Sequence, residues 1–188
     1  MIMKSILKTI TATIVSAVAS LGLFAGACTA QEIKPSLDSH LEAFRPLLGK
    51  TMKAVFKDSK PENPTVDVQK WERALNGKAV RMTHSINKGV YGGETIFIWD
   101  NKKQQVTYYY FTTADYMTVG TVKFDNGKII THETVSDSGD GITEVRGNSE
   151  LTADGELHVK AEYFKKGAWT PGHEADYKED ATAALIFK

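Results

Sequence analysis

From Lys50 onward, hydrophobic and polar positions alternate with a period of two, as expected for strands that bury one face. The alternation predicts strands near 50–57, 65–75, 78–87, 91–99, 104–112, 116–124, 128–136, 142–152, 156–165 and 172–179 or slightly beyond. Turn chemistry separates them. Asn76-Gly77, Asn87-Lys88-Gly89, Asp100-Asn101, Asp125-Asn126-Gly127, the run from Asp137 to Gly141, and Asp154-Gly155 supply residues that tolerate tight backbone turns. Ahead of the strands the period is helical. Leu37, Leu41, Phe44 and Leu48 recur at steps of four, three and four behind Ser36, the expected N-cap, and Pro46 and Gly49 end the segment.

Strands of this length joined by short turns build an up-and-down antiparallel sheet. About ten of them twist and close on themselves, which removes exposed edges. The expected fold class is therefore all-β: an antiparallel up-and-down barrel of about ten strands with a short N-terminal helix. The Asp58 to Thr65 loop, with Pro61 and Pro64, is longer than the rest and is suited to covering a mouth of the barrel. A barrel of this size encloses space that side chains need not fill, so a small ligand fits inside.

Composition narrows the picture. The 188 residues are 41% hydrophobic and 24% charged, which fits one globular domain and excludes wholesale disorder. Lys+Arg and Asp+Glu both number 23, so the basic excess of a nucleic-acid binder is missing. The first thirty residues read as an export signal rather than as part of the fold. Lys4 and Lys8 precede an apolar stretch from Ile10 to Ala27, and the small residues Ala25, Gly26 and Ala27 precede Cys28. Two cleavages fit: after Ala30, or before Cys28 as a lipobox in which Cys28 is acylated. Residues 31–188 then form a single domain carrying 21 basic and 23 acidic residues, a net charge of −2. The expected location is the bacterial envelope, either periplasmic or held at a membrane by lipid on Cys28. Cys28 is the only cysteine, so the remaining domain has no disulfide, thiol nucleophile or cysteine metal site.

Two stretches carry a resemblance. Trp71-Glu72-Arg73-Ala74-Leu75-Asn76-Gly77-Lys78 and Gly93-Glu94-Thr95-Ile96-Phe97-Ile98-Trp99-Asp100 are similar to a bacterial family of lipocalin-like (calycin) barrels of unknown function. The likeness spans residues 37 to about 180 and implies a lipocalin-like barrel without implying an activity. Nitrobindin-type haem barrels are more distantly similar. Their opening motif is Gly-x-Trp-x-Gly, whereas Gly49-Lys50-Thr51-Met52-Lys53 lacks the Trp and the second Gly. That family's haem ligand is a His on a late strand, and His158 lies on a late strand here. The missing motif argues against a haem role.

Chemical motifs are sparse. His40, His84, His132, His158 and His173 fall in no metal-binding spacing, and there is no nucleophile elbow, P-loop or dinucleotide fingerprint. No catalytic residue, metal or cofactor is assigned. The ligand-binding candidates are His84, Glu94, Arg81, Tyr108, Tyr110 and Arg146. If the third and fourth strands pair about Gly89, His84 faces Glu94 on the side carrying Val80, Met82, Ile86, Ile96 and Ile98. Such a pair could hold a polar ligand group or move a proton. On the other face, Arg81 lies with Thr83, Ser85 and Thr95. If that face is interior, Arg81 is an anion hook, extended by Glu144 and Arg146 or left to a surface pair. In Tyr108-Tyr109-Tyr110-Phe111 one alternate pair points inward. Trp71, Trp99 and Trp169 are either core or pocket, and Trp169 is placed to cap one barrel end.

The reading that follows is an exported barrel that holds a small apolar or amphipathic molecule. Two alternatives remain. One is an enzyme or haem barrel using an interior His/Glu pair. The other is an interaction domain with a filled barrel and an exposed apolar patch.

Overall fold

The computed structural model describes residues 35–188. The export segment, both cleavage points and Cys28 lie outside the described residues. Ten strands follow in order: β1 (Thr51–Val55), β2 (Val66–Ala74), β3 (Ala79–Ile86), β4 (Tyr91–Asp100), β5 (Gln105–Thr112), β6 (Met117–Asp125), β7 (Lys128–Val135), β8 (Ile142–Leu151), β9 (Leu157–Lys165) and β10 (Ala168–Glu179). Every neighbouring pair is antiparallel. β1 closes the barrel by pairing with β10, Met52 opposite Glu179 and Lys53 opposite Lys178. Closure satisfies both edge strands, as the alternation and short turns predict.

A 3-10 helix, Ser39–Leu47, plugs one end. Its cap is Asp38 rather than Ser36: the Asp38 carboxylate accepts from the His40 N–H at 3.2 Å. The buried positions are Leu41, Phe44 and Leu47, spaced by three because i and i+3 eclipse in this helix type. Leu48 has left the helix and serves as its C-cap. The Phe44 ring lies 4.7 Å from Phe97, 5.2 Å from Phe124 and 5.8 Å from Trp71, measured between ring centres. This aromatic group is the floor of the barrel.

The loops after β1, β3, β5, β7 and β9 gather at the opposite end. Outside the barrel, the C-terminal segment crosses β3 and β4. Ser85 Oγ donates to the Ile186 carbonyl, and the Phe187 ring lies close against Gly92, 3.1 Å from where a Cβ would stand.

Candidate functional site

Inside the barrel lies a cavity of about 450 Å³ that runs from the aromatic floor to Ser138 and Asp140 in the β7–β8 loop. Its walls combine apolar side chains, such as Met82, Val145 and Val159, with a set of polar ones. Three strands, β2, β3 and β10, supply the first polar group. Asp67 from β2 is 2% exposed and accepts three hydrogen bonds. His84 Nδ1 lies 3.0 Å from one carboxylate oxygen, and on the other the Tyr177 hydroxyl donates at 2.7 Å and Gln69 Nε2 at 3.4 Å. Burial pushes this carboxyl up. The hydrogen bond and charge of His84, with the Tyr177 and Gln69 donors, outweigh it and hold Asp67 below the usual carboxylate range.

From His84 the network continues toward the open end. His84 Nε2 is 2.6 Å from the Tyr110 hydroxyl, Tyr110 is 2.9 Å from Tyr91, and Tyr91 is 2.8 Å from Tyr116. Desolvation raises the hydroxyls of Tyr91 and Tyr110, as it does those of Tyr108 and Tyr177, so all four stay protonated. A row of neutral hydroxyls can be hydrogen-bonded in two senses. With His84 as imidazolium, each hydroxyl donates outward and Tyr116 offers a donor at the mouth. With neutral His84 donating to Asp67, the hydroxyls donate inward and Tyr116 offers an acceptor. The row therefore links the His84 imidazole to the mouth through hydroxyls that can donate in either sense.

A second polar group sits on the opposite wall. Glu133 from β7 accepts from Thr118 Oγ1 at 2.5 Å, and the Tyr108 hydroxyl also bonds it. Here burial prevails over these two donors and the charge of His132, so the Glu133 carboxyl is raised. Near the mouth, His173 Nδ1 is 2.8 Å from the Tyr163 hydroxyl, and its ring stacks on Phe56 at 4.8 Å. Burial lowers the His173 imidazole, which keeps it neutral.

Two glycines make these positions reachable. A Cβ on Gly93 would collide with the Phe111 carbonyl and come within 2.5 Å of the Tyr110 ring; one on Gly120 would strike the Tyr108 ring. Each tyrosine from β5 thus lies over a bare stretch of neighbouring strand, which lets Tyr110 reach His84 and Tyr108 reach Glu133.

Of the residues singled out from sequence, His84, Tyr108 and Tyr110 line the cavity. Glu94, Arg81 and Arg146 do not. The β3–β4 connection holds four residues, with Ile86 opposite Tyr91, so His84 faces Gly93, and Glu94 faces Thr83 on the outer surface. A pivot at Gly89 is off by one residue, and one residue moves a side chain to the other face. The same shift brings Thr95 inside and leaves Ile96 and Ile98 outside. Arg81 is on the outer face, 2.8 Å from Glu72 and 3.9 Å from Glu94. Arg146 also points outward, 2.6 Å from Glu162 with its guanidinium 4.4 Å from the Trp169 ring. Glu144 bonds His132 instead of Arg146. Trp169 thus packs on the outer wall and caps no end. His158 is outside too, paired with Asp176 at 2.6 Å.

Asp67, Gln69, Tyr91, Tyr116, Glu133, Tyr163, His173 and Tyr177 were not apparent from sequence. On β2 the polar residues Asp67 and Gln69 share the inner face with Trp71, while Val66 and Val68 face out, the reverse of the usual rule. The parity of Trp71 was the available signal. His173 gave none. A bulge between Pro171 and Glu174 adds a residue to β10 and reverses its parity, which aims His173 inward.

No protein-family model and no curated protein matches the chain. Among solved structures it is similar to Rv2717c from M. tuberculosis, with a TM-score of 0.57 and 13% sequence identity, covering 77% of this chain and 99% of that one. At that identity the likeness concerns the fold: a closed, ten-stranded antiparallel barrel, consistent with the calycin type.

Proposed function

We propose that this protein is a carrier that holds one small apolar or amphipathic molecule inside its barrel, in the bacterial envelope. The observation that carries the reading is the cavity itself. It has a closed aromatic floor, apolar walls and polar groups that are already satisfied by one another, so it is preorganised without a ligand and can receive one. The export reading of residues 1–30 supports the location, and the closed barrel supports the scaffold.

Native mass spectrometry of protein purified gently from its own envelope tests this. The expected spectrum shows a discrete extra mass that leaves on denaturation. A bare polypeptide, unchanged after incubation with membrane lipids and hemin, would support the filled-barrel alternative. Haem as the departing mass would favour the second reading. It would make His173 the iron ligand in place of His158, with Nδ1–H donating to Tyr163 and Nε2 left to bind.

A further inference from the structure

We propose that the cavity selects a ligand with a cationic polar end, an alkyl- or arylammonium group seated against Glu133, and discriminates against carboxylate-headed amphiphiles of equal length. The inference rests on the carrier reading and adds the sign of the ligand's charge.

The lining residues decide the sign. None of them is Lys or Arg among the described residues; the ionisable ones, besides tyrosines, are Asp67, Glu133, Asp140, His84 and His173. Asp67 is matched by His84, and Asp140 is exposed at the mouth, where Ser138 donates to it at 2.6 Å. Glu133 is left as a half-buried carboxyl whose neighbours are hydroxyls. Thr118 faces it from β6 and Tyr108 from β5, with Tyr91 and Tyr110 next along the wall. Val145 is its partner on β8, and its strand neighbour His132 points outward to Glu144. Among the described residues, no Lys or Arg lines the cavity beside it.

An anionic ligand finds no counter-charge. His84 is held between Asp67 and Tyr110, and His173 is kept neutral by burial. An ammonium group gains the carboxylate in a cavity also lined by the aromatic side chains of Phe97 and Tyr108, a setting that favours cations.

The charge state of Glu133 supplies the signature. Free Glu133 stays protonated to higher pH than a solvated glutamate. An ammonium ligand binds its ionised form and so releases a proton. Ammonium affinity then rises with pH, by up to about tenfold per unit, until the folded pKa of Glu133 is passed.

Isothermal titration of the intact purified protein with octylammonium, octanol and octanoate over a pH series tests the proposal. Octylammonium is expected to bind tightest and octanoate weakest, with only the ammonium affinity rising with pH. Glu133→Gln is expected to remove that rise and bring the ammonium-to-alcohol ratio to about one. The pH series on the unmodified protein decides the matter even where the variant does not fold. Octanol or octanoate binding as tightly as octylammonium overturns the inference and leaves the carrier reading standing. Binding of none of the three overturns both.

Discussion

Phe44→Ala is expected to lower unfolding stability by about 3–5 kcal/mol, the cost of emptying a large, well-packed aromatic site. Phe44 is fully buried, and its ring packs against Trp71, Phe97 and Phe124 together. Those three residues come from β2, β4 and β6, so the ring joins half the barrel circumference to the helix. The surroundings cannot collapse into the hole, because a closed hydrogen-bonded barrel resists contraction. Urea unfolding followed by tryptophan fluorescence measures the effect. A loss under about 1 kcal/mol would mean that the helix rests on the barrel end without plugging it.

Asp67→Ala is expected to be equally damaging, at about 3–5 kcal/mol, for an electrostatic reason. The substitution leaves the His84 N–H and the Tyr177 hydroxyl, both buried, without their acceptor. The pH dependence carries the same information. The folded pKa of Asp67 is lowered, so its contribution is complete above the unfolded value of about 3.9 and is lost as pH falls through the folded one. Glu133 runs the other way. Its folded pKa is raised, so its contribution is complete below the unfolded value of about 4.3 and is lost as pH rises through the folded one. Stability measured from acid to neutral pH is therefore expected to flatten at its acid limb in Asp67→Asn. An unchanged acid limb would show that Asp67 does not titrate differently on folding.

Much of the scaffold was legible in the chain. Turn residues such as Asn126-Gly127 and Asp154-Gly155, together with period-two patterning, place strand ends close to where they occur, because in a meander each turn is local. The site was less legible, for three physical reasons. The β3–β4 connection could pivot on three residues or four; positive φ at Asn87, Lys88 and Gly89 accommodates the four-residue form. The β10 bulge reverses parity through a backbone irregularity that Pro171-Gly172 permits without announcing. On β2, side chains facing a cavity are under different pressure from those facing a filled core. Polar residues are tolerated inside when they satisfy each other, as Asp67, Gln69, His84 and Tyr177 do. The pairing of His84 with Asp67, rather than with Glu94, follows from the first and third reasons together.

The outer wall also bears on how binding is tested. Tyr109 and Phe111 are 40% and 49% exposed, so an apolar probe has somewhere to go besides the cavity. A binding signal alone is thus insufficient; it must depend on an inward residue. Val145 lines the middle of the cavity beside Glu133. The most direct test of the carrier account is titration of the neutral fluorescent probe N-phenyl-1-naphthylamine into the protein and into Val145→Trp. The account predicts saturable binding of one probe per chain, weakened at least about tenfold by the larger ring. No binding by the unmodified protein, or equal binding by a folded Val145→Trp variant, would contradict it.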